Sequence, residues 1–438
     1  MRACEPNDSH LNNTADGTGN SCAERTPLCA GIKKSRLGRA RPSRHVSTYK
    51  TALCDRNANS PASHRRPLEN MKSVAPIPVF VLLLLNCLTF DAVEGSIQCT
   101  NGDVCKIDED TMRFFILGDF GGLPVWPYVS WAQTTVAKTI SQLGDDKRTH
   151  FQLGLGDNMY YVGVTDVNDR RFKQSFEEVY QGDSMNKPWY IIAGNHDHYG
   201  NISAQVAYSQ VSKRWVFPSL YYTVNYQFAQ QTKVDFIMID TIVLCGNTKD
   251  ISNGDFVDVL LAGEQEPDKP KDPAVAEVQW KWIERQLQQS KADYLFVVGH
   301  YPIYSISQHG PTACLVNRLK PLLHKYHVNA YMAGHDHSIQ HISTSENGAT
   351  VEYLVSGAAS RTDRSTKNMD KIPSGSLKFH YPSGGWFRSM FSQLGFSNGA
   401  FISAELSSSA GQFNFYDGQG DLKYGFRTLP RTKSATII

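Results

Sequence analysis

The chain is 438 residues long, with 44 Lys and Arg against 42 Asp and Glu and a net charge of +2. With 41% hydrophobic and 11% aromatic residues it can bury a sizeable core, which excludes wholesale disorder, and the near-neutral balance excludes a strongly basic nucleic-acid binder. The average conceals a split, because residues 1–70 carry a net +6 and residues 71–438 carry −4.

Residues 1–70 contain one aromatic, Tyr49, of the 48 in the chain, and show no apolar periodicity. Such a stretch cannot bury enough apolar surface to offset its ordering entropy, so it is expected to be a disordered extension or the product of a start assigned too far upstream. Met71-Lys72-Ser73 then precedes an apolar run from Val79 to Leu85, with small residues near Val93 and Gly95. A basic start, a short apolar core and small residues behind it predict a secretory signal peptide over 71–95. A bilayer span needs about 20 apolar residues, so no stable membrane span is expected. Of nine cysteines, four lie in 1–70 and Cys87 lies in the signal; Cys99, Cys105, Cys245 and Cys314 allow three pairings. Cys99–Cys105 with Cys245–Cys314 is the simplest, and an even count in a secreted chain favours disulfides over metal sites. Asn201-Ile202-Ser203 is an N-glycosylation sequon.

From about residue 112 the chain reads as one α/β region. Apolar, β-branched and aromatic runs at 113–117, 151–155, 189–193, 235–239, 294–298, 330–333 and 351–355 predict strands. Apolar positions at i, i+3 and i+4 predict helices over 129–143, 169–180, 204–215, 276–289 and 315–326. Strands dominate after residue 350, at 399–406, 412–416 and 423–429. Residues 249–274, rich in Asp, Glu and Pro without a period, read as an exposed loop.

The polar chemistry concentrates where strands stop. Gly118-Asp119-Phe120-Gly121, Gly156-Asp157-Asn158-Met159-Tyr160, Gly194-Asn195-His196-Asp197, Gly299-His300-Tyr301-Pro302 and Gly334-His335-Asp336-His337 each close an apolar run. Ligands of open α/β sheets bind at the carboxyl ends of strands, so the five turns can converge on one crevice. Their carboxylate, amide, phenol and imidazole donors suit two first-row metal ions bridged by a carboxylate. Any one cluster alone is an ordinary turn; five in one order are not.

This order of motifs resembles the metallophosphoesterases and, above all, the purple acid phosphatases of the small, mammalian, tartrate-resistant type. The likeness runs through 194–205, 212–215 and 309–312, covers roughly 112–431 and leaves 1–70 unmatched. It implies a four-layer αββα sandwich of two mixed sheets flanked by helices, formed by a single catalytic domain over 96–438. Tyr160 discriminates: most metallophosphoesterases carry a His two residues after the first Asp, where this chain has Gly121. The resemblance implies that Asp119, Asp157, Tyr160 and His337 hold Fe(III), the phenolate giving a purple charge-transfer band. Asp157 would bridge to a divalent metal (Fe(II), or Zn or Mn) held by Asn195, His300 and His335.

The implied activity is hydrolysis of phosphate monoesters at acid pH, with hydroxide on the metals as nucleophile. His196 and His309 match the family's substrate-contacting histidines. The resemblance further places a disulfide at Cys245–Cys314 and aligns 249–274 with an exposed loop that an activating protease cuts. Expected partners are phosphomonoesters, small or on proteins, and not nucleic acid; the expected location is the secretory pathway, lysosomal or extracellular. A phosphodiesterase or nucleotidase with two Mn or Zn ions is the competing enzyme reading, which Tyr160 disfavours; a secreted binding protein would require a lost ligand. Asp197 and Asp336 read as supporting carboxylates, and His198, His341 and Asp240 belong to no ligand pattern.

Overall fold

Where β-branched and aromatic residues run together the chain extends, and where apolar residues recur every three or four positions it coils. The computed structural model describes residues 97–99, 104–229, 231–248, 267, 269–384, 391–392 and 394–431, all within the unit Thr89–Ile438. The expected extension (1–70) and signal peptide (71–95) lie outside the described residues, as do 249–266 and 268 of the expected loop.

Two short strands, β1 (Ile97–Cys99) and β2 (Cys105–Ile107), come first. Strand β3 (Thr111–Leu117) leads through helix α1 (Trp131–Lys147) to β4 (Phe151–Gly154) and β5 (Trp189–Ile191). Short helices α2 (Asn195–Tyr199) and α3 (Ile202–Tyr208) precede β6 (Trp215–Val216). An antiparallel pair, β7 (Tyr222–Phe228) and β8 (Thr232–Met238), is followed by α4 (Thr241–Cys245), α5 (Pro273–Gln289), β9 (Tyr294–Val298), α6 (Ala313–Lys325) and β10 (Ala330–Ala333). The rest is strand-rich: β11 (Ile339–Glu346), β12 (Ala349–Ser356), β13 (Leu377–Tyr381), β14 (Ala400–Ser407), β15 (Gly411–Asp417) and β16 (Leu422–Thr428).

These strands form two mixed sheets flanked by helices, the architecture implied above. One sheet has seven strands in the order β16-β15-β14-β3-β4-β5-β6, and the other nine in the order β1-β2-β7-β8-β9-β10-β12-β11-β13. Strands β3 to β6 run parallel, as do β8, β9, β10 and β12. β4, β5, β9 and β10 are buried along their length, because both faces of a parallel sheet are covered. Aromatic rings fill the space between the sheets: Phe114 meets Phe236 edge-on at 5.4 Å and Phe151 stacks on Tyr226 at 4.8 Å. Burying each such ring favours the fold by about 1.5–3 kcal/mol. A second core packs Trp280, Ile283 and Leu287 of α5 and Leu315, Leu319 and Leu323 of α6 on the outer face of β9 and β10.

Three expectations change. The helix expected over 204–215 stops at Tyr208, because Trp215 and Val216 pair with Trp189 and Tyr190 as an edge strand and the Trp215 indole donates to Gln205 O at 3.0 Å. That expected over 169–180 shrinks to one wide turn, Phe172–Glu177, because the Asp169 carboxylate binds Thr165 N–H at 3.0 Å and Arg171 at 2.7 Å and holds the chain before it in a turn. The 249–274 loop ends earlier than expected: Asp272 caps the Ala274 and Val275 N–H groups, and Pro273 opens α5.

The Cys245–Cys314 disulfide, with Cα atoms 5.7 Å apart, ties the end of α4 to the start of α6. Cys105 is also disulfide-bonded, and its cross-strand partner in the β1–β2 register is Cys99. Among the described residues no helix is long and apolar enough to cross a membrane.

Candidate metal centre

The turns after β3, β4, β5, β9 and β10 are laced together by backbone bonds. Asp119 N–H donates to Gly156 O at 2.9 Å, and Gly334 N–H to His300 O at 3.0 Å. Two glycines are needed where the turns touch. A Cβ on Gly156, which has φ +89°, would stand 2.7 Å from His300 Nδ1, and one on Gly194 would stand 2.1 Å from Asp157 Oδ1. Asp119, Asp157 and His335 themselves adopt left-handed backbones with φ of 59°, 53° and 69°. Each costs about 1–3 kcal/mol, a strain that clusters at functional sites.

The sequence-derived ligand candidates fall in one buried cluster. The Tyr160 hydroxyl donates to Asp119 Oδ1 at 2.9 Å, and His337 Nε2 lies 3.2 Å from the phenol oxygen and 3.5 Å from Asp119 Oδ1. Asp119 Oδ2 accepts the His335 N–H at 2.8 Å. On the other side, donor atoms of Asp157, His300 and His335 lie within 4.8 Å of one another. Asp157 Oδ1 is 3.4 Å from His300 Nε2 and accepts the His196 N–H at 3.0 Å.

The donor set fits cations. His300 Nδ1 donates to Leu155 O at 2.8 Å, which leaves Nε2 a lone pair. Asn195 Nδ2 donates to Thr248 Oγ1 at 3.1 Å, which turns its carbonyl oxygen towards that lone pair at 2.9 Å. Two acceptors facing each other at this distance suit an ion between them. Burial pushes the Asp119 carboxyl up to about 6 and the Asp157 carboxyl up to about 7, and holds His335 and His337 well below the usual imidazole value. Neutral imidazoles keep their lone pairs for ligation, and buried carboxylates gain most from a neighbouring cation.

His196 and His309 flank the cluster. His196 Nδ1 donates to Tyr161 O at 2.7 Å, its ring lies 4.7 Å from that of Tyr160, and burial pulls its pKa down to about 4. The His309 ring lies 4.1 Å from the His335 ring, and its backbone N–H is held by Asp336 Oδ1 at 2.9 Å. Asp197 is a hub: it accepts N–H groups of Gly194 at 2.8 Å, Asn158 at 3.1 Å and Met159 at 3.2 Å, and the Gln205 amide at 2.7 Å. Asn201, exposed, caps α3 by accepting Ala204 N–H at 3.2 Å.

Two features escaped the sequence reading. His198 Nε2 lies 2.7 Å from Asp240 Oδ2, while Asp240 Oδ1 caps α4. Arg361, buried in the turn after β12, lies over the Tyr160 ring. Extending the rule of strand ends to the 351–355 run and its Ser356-Gly357 end would have pointed to that turn.

A family model for calcineurin-like phosphoesterases matches residues 112–338. The chain is 42% identical over 330 residues to tartrate-resistant acid phosphatase type 5 of Rattus norvegicus, covering 75% of this chain and 93% of that one. It is 28% identical over 345 residues to purple acid phosphatase 17 of Arabidopsis thaliana, covering 77% and 92%. The fold is shared with the solved structure described as GAP50, the anchor in the inner membrane complex of Plasmodium, at a TM-score of 0.57 and 24% identity, covering 75% of this chain and 94% of that one. With the family model spanning more than half its length, the chain belongs to the calcineurin-like phosphoesterases, among the purple acid phosphatases of tartrate-resistant type.

Proposed function

We propose that the chain is a secreted or lysosomal acid phosphatase that hydrolyses phosphate monoesters at a dinuclear Fe(III)–divalent metal centre. The observation that carries this reading is the pair of facing acceptors, His300 Nε2 and Asn195 Oδ1, beside buried Asp157. Asp119, Asp157, Tyr160 and His337 would hold the trivalent ion, whose charge suits anionic oxygen donors. Asn195, His300 and His335, sharing Asp157, would hold Fe(II), Zn or Mn. A cation pair held there supplies charge neutralisation of phosphate oxygens and acidifies coordinated water.

The chain's own groups do the rest. His196, its Nδ1 proton committed to Tyr161 O, presents Nε2; a phosphate dianion alongside raises its proton affinity and lets it donate. His309, set beside His335, offers a second donor to the phosphate. Asp197 and Asp336 hold the backbone of both histidine-bearing turns in place. The 249–274 segment starts beside Thr248, the hydrogen-bond partner of Asn195, so a proteolytic cut there would reach the site. Entry into the secretory pathway is supported by the 71–95 signal pattern, the disulfides and the exposed sequon at Asn201.

The test is an absorption spectrum, a metal analysis and phosphomonoesterase activity at acid pH, on protein starting at Ser96. Active, iron-containing, visibly coloured protein is expected, with Tyr160→Phe losing the visible band. Colourless wild-type protein that is fully active without iron would overturn the assignment.

A further inference from the structure

Arg361 is 3% exposed and sits in the turn after β12. Its guanidinium carbon lies 3.9 Å from the centroid of the Tyr160 ring and 4.8 Å from that of Tyr161. Nη1 donates to the Tyr161 hydroxyl at 2.6 Å and Nη2 to Gly122 O at 3.0 Å, while Nε is buried without a hydrogen-bond partner among the described residues. A buried guanidinium ordinarily sits on a carboxylate, because desolvating it unpaired is costly. Among the described residues Arg361 forms no ion pair within 4 Å: it lies against two phenol rings and a carbonyl, and the Asp119 carboxylate beyond Tyr160 acts on it only at longer range. A charge that stays on in such a place acts on what it faces, and it faces the Tyr160 ring.

We propose that Arg361 is a positioning residue that acts through Tyr160: its fixed charge on the ring face holds the ring and stabilises negative charge in its π system. This inference rests on the iron reading of the site. Cation–π attraction grows as a ring becomes anionic and as water is excluded, and both conditions hold for a phenolate ligand in this buried position. Lowering the energy of the filled phenolate orbitals widens the gap to the empty orbitals of Fe(III), so the charge-transfer band lies at shorter wavelength than the phenolate alone would give. It also weakens donation to the trivalent state and so raises the reduction potential. Arg361 thus biases how readily the ion held by Tyr160 leaves the trivalent state.

The test compares holoprotein of wild type, Arg361→Met, Arg361→Gln, Arg361→Lys and Tyr161→Phe by visible spectrum and reduction potential. Met and Gln remove the charge, Gln keeping a hydrogen-bonding head; Lys keeps the charge; Tyr161→Phe removes the hydrogen bond alone. The expected result is a band shifted to longer wavelength and a lowered potential in Arg361→Met and Arg361→Gln. Arg361→Lys should lie closer to wild type, and Tyr161→Phe should leave both readings in place. Should Arg361→Met fail to fold, Arg361→Gln decides. A coloured wild type whose band and potential are unmoved in the neutral variants overturns the inference while leaving the iron reading intact. Equal shifts in Arg361→Lys, Tyr161→Phe and the neutral variants also overturn it, because packing would then be the cause. A colourless wild type overturns both.

Discussion

The turns after β3, β4 and β5 and the turns after β9 and β10 face one crevice with different chemistry. The first sheet brings oxygen: Asp119, Asp157, Tyr160 and the Asn195 carbonyl. The second brings imidazole: His300, His335 and His337, with His309 beside them. Burial acts on both and in opposite directions, raising the carboxyls to about 6 and about 7 and lowering the imidazoles. Left alone, both halves therefore move towards neutrality, and a cation reverses the tendency only on the oxygen side. The first sheet supplies the charge of the site and the second shapes the space around it. His337 is the exception: it leaves its own sheet's group to stand against Tyr160 and Asp119.

The sharpest way to break this division is Asp157→Asn, which keeps the shape of the side chain and removes its charge. One oxygen stays to accept the His196 N–H, so the turn should hold. Phosphomonoesterase kcat is expected to fall by about 10^2–10^3-fold or more, with loss of bound metal measured by elemental analysis. An Asn variant with full metal content and activity would show that charge on this half is not what the site needs.

A smaller effect is expected from Asp197→Ala, which touches neither half's donors but removes the acceptor that pins the β4 and β5 turns together. Gly194, Asn158 and Met159 N–H groups would lose their buried partner. About 3 kcal/mol of stability should go, read from denaturant midpoints at unchanged slope.

These variants were accessible from sequence to different degrees. Strands β9 and β10 were legible to the residue, because strands buried on both faces are continuous apolar runs with Gly-led ends. The five clusters were legible for the same reason. Trp215 was not: its helical spacing to Tyr208 and Val211 is real, but pairing with Trp189 outweighs it. Strand β7 alternates Tyr222, Val224, Tyr226 and Phe228 with Thr223, Asn225 and Gln227, a period-two signal present in the sequence and passed over. Arg361 itself was not legible, because its partner is a ring 201 positions away rather than a carboxylate at a ligand-like spacing, although the Ser356-Gly357 strand end marked its turn. The His198–Asp240 pair joins residues 42 apart, which only the fold brings together.

That pair gives the finest test, because it links the two sheets behind the donors. His198 stands in α2, on the turn after β5, and Asp240 follows β8 and caps α4. Burial alone would lower the His198 pKa, but the Asp240 carboxylate at 2.7 Å outweighs it and the imidazole is held above its usual value. A raised folded pKa means that the folded state binds the proton more tightly than the unfolded one. The resulting stabilisation is fully present below the unfolded value of about 6.5 and is lost as pH rises through the raised folded value. His198→Gln keeps a neutral hydrogen bond and removes the titration. Wild type should therefore exceed His198→Gln in unfolding free energy by about 2 kcal/mol in acid, the gap narrowing as pH rises past neutrality. Denaturant titrations of both proteins across that range check it; a gap that is constant with pH, or that widens towards alkali, would show that the pair joins the sheets by packing and not by charge. With the predicted sign, the join between the oxygen and imidazole halves is strongest under the acid conditions in which the enzyme is proposed to act.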